Sequence, residues 1–235
     1  MAIERETPWG YLAIPSYLRE RLDKEAPKLT SEVLIQELMN SCETAVWALE
    51  GVLQCKGKTD TDLELSPISA REMYSYAFEG SPYFLKPGLH EKQISKGEAV
   101  STMLWHLDNC LLLNELPTAF EATESTESPG LIATINAVAA RCRLDHHRLT
   151  GDEWWLSIQE VALLARMREL SVRNAASPKS PTPLKTTKTE EGLTMVDTSE
   201  ANRWLSKRRR YVATALPSDS VEKEAMIAAI EEWAL

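Results

Sequence analysis

The segment between residues 154 and 211 decides the predicted fold. Residues 154–176 read WWLSIQEVALLARMRELSVRNAA, and after a stretch rich in Pro, Lys and Thr residues 203–211 read RWLSKRRRY. Ser157 precedes Glu160 by three positions, which is the spacing of a capping box. In this motif the hydroxyl and the carboxylate bind the free amides of a helix start, so we expect a helix to begin at Ser157.

Two short helices are predicted in this segment because apolar residues recur at helical spacing. The first helix carries Ile158, Val161, Ala162 and Ala165, Met167 lies in the turn, and the second helix carries Val172, Ala175 and Ala176. A small residue such as Ala162 allows two crossing helices to approach closely. Val172 is expected to fill the space between them.

A β-hairpin and a third helix are predicted next. Pro178, Pro181 and Pro183 end the second helix, because proline cannot donate a backbone hydrogen bond. Residues 184–189 and 193–196 favour strands, with a turn at 190–192. Asp197, with Glu200 three positions later, is expected to cap the third helix. The apolar side of that helix is predicted to comprise Ala201, Trp204, Leu205 and Val212.

This order of elements in residues 154–211 resembles the winged helix-turn-helix of bacterial regulators of the MerR and excisionase type. In that type an aromatic-leucine pair such as Trp204-Leu205 often follows the wing. Arg166 stands in the turn where the family usually has glycine. Either this turn avoids a positive φ angle, or Arg166 bears modest strain.

The resemblance implies a set of contacts with double-stranded DNA. Base edges in the major groove would be met from the turn and second helix by Arg168, Ser171, Arg173, Asn174 and Ser177. Phosphates or the minor groove would be met from the wing by Lys179, Lys185, Thr187 and Lys188, and from the third helix by Arg208, Arg209 and Arg210. Glu169 would either repel non-cognate DNA or pair with Arg173 at the i,i+4 spacing.

The distribution of charge agrees with this assignment. The chain has a net charge of −9, yet residues 166–215 contain 11 Lys and Arg against 5 Asp and Glu. The acidic total argues against a general coat for nucleic acid, whereas the local excess marks one basic region. The alternative reading is that these cations belong to solvated helix faces, as most surface charges do.

Residues 1–150 are predicted to form an all-α domain for oligomerisation or partner binding. Apolar periodicity predicts helices at about 31–53, 66–79, 95–115 and 128–146, arranged as a bundle. An aromatic cluster, which is either core packing or the lining of a small pocket, comprises Tyr74, Tyr76, Phe78, Tyr83 and Phe84. The boundary with the 151–215 domain is expected near Gly151.

Residues 216–235 are predicted to form a terminal amphipathic helix capped by Asp219. Its apolar side comprises Val221, Ala225, Met226, Ala229, Ile230 and Trp233. This side must be buried either on its own chain or on a second copy. A homodimer is expected, formed through this helix or through the N-terminal bundle.

Several classes of protein are disfavoured by the sequence. It contains no apolar run of about 18 residues and its first residues lack the layout of a signal peptide, so a cytoplasmic protein without membrane contact is expected. The cysteines Cys42, Cys55, Cys110 and Cys142 are widely spaced, which favours reduced, buried thiols. Cys142 with His146 and His147 offers too few ligands for a metal.

No motif of a catalytic site is present either, so neither an enzyme nor a cofactor is expected. The expected function is sequence-specific binding of double-stranded DNA by a dimeric regulator, a repressor of bacterial, plasmid or phage type. One alternative is an excisionase-like architectural or plasmid-maintenance factor. Another is a helical interaction protein whose helix-turn-helix binds a protein.

Overall fold

The computed structural model describes residues 23–37, 39–40, 71–82, 129–190 and 192–234. In the N-terminal part these residues form a short 3-10 helix, Ala26–Lys28, a helix at 31–37, and helical turns at 71–74 that continue into the π-helix Ser75–Glu79. The predicted helix at 95–115, residues 41–53 of the first predicted helix and residues 66–70 of the second lie outside the described residues. So do Tyr83, Phe84, Cys42, Cys55 and Cys110.

The C-terminal part is mainly helical with one small sheet. Its helices are α1 (Pro129–Thr150), α2 (Ile158–Ala165), α3 (Glu169–Ala175), α4 (Thr198–Leu205) and α5 (Ser220–Ala234). Its strands are β1 (Trp155–Ser157), β2 (Thr187–Lys188) and β3 (Thr194–Asp197), in the order β1-β3-β2. Both pairings are antiparallel, with Leu156 opposite Val196 and Thr187 opposite Met195. The predicted mainly α class is confirmed.

The start of α2 is held by the predicted capping box and by an ion pair that the sequence did not reveal. The Ser157 hydroxyl accepts from the Glu160 amide at 3.2 Å, and the Glu160 carboxylate accepts from the Ser157 amide at 2.7 Å. The other carboxylate oxygen of Glu160 pairs with the buried guanidinium of Arg143. Arg143 also donates to the Trp155 carbonyl at 2.7 Å, so α1 fixes both β1 and the first turn of α2.

Helices α2 and α3 pack through the residues that the periodicity predicted. Ala162 and Val172 are buried, together with Ile158, Val161 and Ala165. Leu163 and Leu164 are buried as well, because α1 packs against another side of α2. The apolar surface of α2 is therefore wider than the single face that the spacing suggested.

Helix α1 carries two fully buried charged residues, Arg141 and Asp145. Arg141 donates to the Ala77 carbonyl at 2.9 Å and the Val212 carbonyl at 2.8 Å, and Asp145 accepts from the hydroxyls of Tyr76 and Thr214. Burial raises the pKa of Asp145, while the nearby Arg141 and these hydroxyl donors oppose the rise. This network attaches the 71–79 helical turns and the 212–214 segment to α1.

Several predicted boundaries were wrong. Strand β1 was not predicted, β2 spans only Thr187–Lys188 instead of 184–189, and α1 continues to Thr150 instead of ending near His146. Helix α4 ends at Leu205. Beyond Ser206 the amides bond three residues back, since Lys207 donates to the Trp204 carbonyl at 3.3 Å and Arg208 to the Leu205 carbonyl at 2.8 Å. Val212 therefore lies outside α4 and is 47% exposed. Arg208, Arg209 and Arg210 follow α4 and are not part of it.

Helix α5 buries its apolar face on its own chain. Asp219 caps it by accepting from the Val221 amide at 2.9 Å, as predicted. Met226, Ala229 and Ile230 are buried, and α5 packs against α1. Val221 was expected on that face but is 72% exposed. The side chain of Trp233 lies outside the described residues. The buried Met226, Ala229 and Ile230 are therefore not available for the predicted dimer contact.

The buried apolar residues of both parts form one continuous cluster, which includes Leu34, Tyr76, Val138, Val161 and Trp204. Gly151, with φ 87°, joins α1 to the segment before β1, at the expected domain boundary. The division at 150 and 215 stays a prediction. Among the described helices, none has the length and apolar character needed to cross a membrane.

Replacement of Glu160 by alanine tests the ion pair at the start of α2. Glu160→Ala should lower the free energy of unfolding by about 3–5 kcal/mol, because it leaves the buried Arg143 without its partner. Ser157→Ala removes one capping acceptor and should cost about 1 kcal/mol. Urea denaturation of both variants measures the difference. Equal losses would mean that the ion pair contributes little.

Candidate nucleic-acid interface

The predicted base-facing residues lie together on the solvent side of α3. Arg168, Ser171, Arg173 and Asn174 are exposed, and Ser177 is partly exposed just beyond the helix. Val172, the buried residue between them, points toward α2 and holds the helix in place. One side of α3 therefore serves packing, while its polar side is free to contact a ligand.

Arg173 is paired with Glu169 along the exposed side of α3. The guanidinium donates to one Glu169 carboxylate oxygen from Nε at 2.8 Å and from Nη2 at 2.5 Å. The Arg173 side chain is 55% exposed and that of Glu169 is 19% exposed. This is the i,i+4 pairing that was one of the two expectations for Glu169. An exposed pair of this kind contributes only about 0.3–0.5 kcal/mol, so Arg173 can exchange its partner at small cost.

The turn between α2 and α3 has a strained residue. Arg166 adopts φ 52° and ψ 46°, the left-handed conformation that the sequence left open. A residue with a Cβ atom pays about 1–2 kcal/mol for this conformation. The Arg166 guanidinium donates to the Leu29 carbonyl and lies 5.5 Å from the centre of the Phe78 ring. Glycine would relieve the strain but would lose both contacts.

The N-terminus of α3 is capped by a residue from the distant N-terminal part. Arg168 occupies the cap position but makes no capping hydrogen bond with its side chain. Instead, the Asp23 carboxylate accepts from the Glu169 amide, across 146 positions of sequence. A carboxylate is favourable at a helix N-terminus. No local pattern could have revealed this residue, because its role depends on the tertiary fold.

The four residues of the wing that are predicted to contact phosphates are all exposed. Lys179 lies in the loop after α3, Lys185 precedes β2, and Thr187 and Lys188 form β2. The Lys185 amide donates to the Glu200 carboxylate at 2.8 Å, which anchors the wing to α4. Hydrogen bonds from Arg203 hold the pKa of Glu200 below its usual range. The backbone of the wing is thus fixed while its side chains reach solvent.

The three consecutive arginines have two different environments. Arg208 stacks on Trp204, 3.8 Å from the ring centre, and donates to the Thr182 hydroxyl at 3.4 Å. Burial, followed by the proximity of Arg203, lowers the pKa of Arg208, although a guanidinium stays charged at neutral pH. Arg209 and Arg210 are exposed, and Arg210 donates to the Arg166 carbonyl at 3.5 Å. The arginines therefore lie between the α2-α3 turn and the loop that leads to the wing.

The other candidate groups are engaged in packing. Cys142 is buried, and desolvation raises the pKa of its thiol to about 12. His146 accepts from the Trp154 indole at 3.1 Å, and no three potential metal ligands cluster within the part of the chain that the structure describes. Tyr74, Tyr76 and Phe78 are buried, which favours the core reading of the aromatic cluster.

Comparison with known proteins identifies no relative. No protein-family model, no curated protein and no solved structure matches the chain.

Replacement of Asp23 tests the long-range cap of α3. Asp23→Ala should lower the free energy of unfolding by about 1 kcal/mol, because the Glu169 amide loses its acceptor. Asp23→Asn retains an acceptor oxygen and should cost less. Hydrogen exchange at the Glu169 amide reports the contact directly, with faster exchange expected in Asp23→Ala. Unchanged exchange in that variant would refute the cap.

Proposed function

We propose that residues 154–211 form a winged helix-turn-helix of the MerR and excisionase type that binds double-stranded DNA sequence-specifically. The observation that carries the proposal is the exposed side of α3, where Arg168, Arg173 and Asn174 stand beside the α2-α3 turn. Arg173 is paired with Glu169 on that helix, and its own side chain is 55% exposed. The buried Val172 anchors the opposite side of the same helix.

Helix α3 would enter the major groove, where each base pair presents a distinct pattern of donors and acceptors. Arginine is suited to the two acceptors of guanine, and asparagine to the donor and acceptor of adenine. Ser171 and Ser177 would add hydroxyl contacts. Asp23 fixes the N-terminal turn of α3 and leaves Arg168 at the edge of the reading surface.

The phosphate contacts would come from both sides of α3. Lys179, Lys185, Thr187 and Lys188 provide exposed donors on the wing side, and Arg209 and Arg210 do so beside the turn. Arg208 contributes mainly by supporting the 181–183 loop through its contacts with Trp204 and Thr182. Such contacts fix the position and register of a protein on DNA and carry no sequence information themselves.

The proposed role is that of a dimeric repressor of bacterial, plasmid or phage type. It would act in the cytoplasm and bind two half-sites. Since Met226, Ala229 and Ile230 of α5 are buried on the same chain, we favour the N-terminal part for the dimer contact. An excisionase-like architectural role uses the same DNA contacts but requires that the protein bend the DNA. Measurement of the bend angle of a bound fragment separates these roles.

Two arginine variants separate base reading from phosphate binding, on duplex DNA selected from a random pool. Arg173→Ala should relax the base preference and cost about 1–3 kcal/mol of binding free energy. Arg209→Ala should weaken binding to all sequences alike and reduce the salt dependence. Lys223→Ala is the matched control, because Lys223 is an exposed cation on α5.

If the wild-type chain bound no duplex DNA at low salt, the proposal of DNA binding would be contradicted. Protein capture through the same helix-turn-helix would then be the better account, and the net acidity of the chain is compatible with it. An equal effect of Arg173→Ala and Lys223→Ala would contradict the assignment of α3 as the reading helix.

Removal of the negative charge at Glu169 gives an independent test. Glu169→Gln should increase affinity for duplex DNA several-fold at low salt, because it frees Arg173 and removes a like charge near phosphate. The gain should shrink as salt screens the phosphates. Fluorescence anisotropy over a range of salt concentrations measures it. A loss of affinity would show that the Arg173-Glu169 pair positions the guanidinium for binding.

A further inference from the structure

Leu170 is a large apolar side chain on the exposed side of α3. It is 64% exposed, and no hydrogen-bonding or packing role in the described fold requires a leucine there. The fully buried residue of α3 is Val172, two positions later. Leu170 is not among the residues predicted from the sequence to meet base edges, which are all polar.

The position of Leu170 relates it to the predicted base readers. Arg173 and Asn174 follow it by three and four residues, the spacings that place side chains on one face of a helix. Ser177 follows by seven. Arg173 and Asn174 are exposed like Leu170, so the three side chains form one surface.

The major groove offers an apolar group only at thymine, whose C5 methyl projects into it. We propose that Leu170 contacts a thymine methyl group, so that each half-site contains a thymine next to the base pairs met by Arg173 and Asn174. This inference rests on the proposed function, and it adds a specificity determinant to it. A leucine can make no hydrogen bond, so discrimination would come from burial of methyl surface alone.

The surroundings of Leu170 favour this occupant over a protein surface. Protein-binding sites on monomers are contiguous apolar patches of a few hundred Å². The exposed neighbours of Leu170 on α3 are instead polar or cationic: Arg168, Ser171, Arg173 and Asn174. The carboxylate of Glu169 on this side of α3 is paired with Arg173. A single apolar group within such a polar surface complements DNA, where a methyl group lies among polar base edges and phosphates.

Replacement of thymine by deoxyuridine tests the contact, because this change removes only the methyl group. In a duplex selected for binding, one such replacement in one half-site should weaken binding of the full chain about threefold to fivefold, as expected for loss of one buried methyl contact. Leu170→Ala should bind the thymine and deoxyuridine duplexes equally. Leu170→Met should retain part of the preference. Val221→Ala, an exposed apolar residue on α5, should retain all of it.

The outcomes separate this inference from the proposed function. Tight, salt-sensitive binding that is indifferent to every thymine replacement would overturn the role of Leu170 and leave DNA binding intact. The same holds if Leu170→Ala keeps the full preference for thymine. Failure of the wild-type chain to bind any duplex would overturn both. A methyl preference lost in Leu170→Ala and kept in Val221→Ala would establish the contact.

Discussion

The buried ion pair between Arg143 and Glu160 is the interaction on which the C-terminal part depends most. Glu160 uses one carboxylate oxygen for the capping box of α2 and the other for Arg143. Neither charge could be buried without the other, since an unpaired buried charge is strongly destabilising. Because Arg143 also binds the Trp155 carbonyl, one guanidinium contacts both the first residue of β1 and the first turn of α2. The orientation of α2 then sets that of α3 through Val172.

Six arginines of the described residues fall into two groups with different tasks. Arg141, Arg143 and Arg166 direct their guanidiniums to buried carbonyls, a carboxylate or an aromatic ring. Arg168, Arg209 and Arg210 extend into solvent. Within residues 166–215, Arg166 lies over the Phe78 ring and Arg208 stacks on Trp204, so the basic excess counted there overstates the charge that can meet a phosphate. The measured salt dependence of DNA binding should reflect the number of exposed arginines, not the total number of cations.

The features predicted well from the sequence are those determined by neighbours in the chain. The capping box at Ser157, the Asp197 and Asp219 caps and the burial of Val172 follow from spacings of a few residues. Asp23 at the α3 N-terminus and the pairing of β1 with β3 depend on residues far apart in sequence. The conformation of Arg166 belongs to this second kind, because distant Leu29 and Phe78 provide the contacts that offset its strain.

The central claim is that the exposed side of α3 and the adjacent wing contact duplex DNA. Hydrogen exchange of the full chain, with and without a selected duplex, tests it most directly because it reports all segments at once. The account predicts slower exchange in residues 168–177 and 185–188, with unchanged exchange in α5. Protection confined to α5 or to the N-terminal part, with α3 and the wing unaffected, would contradict it.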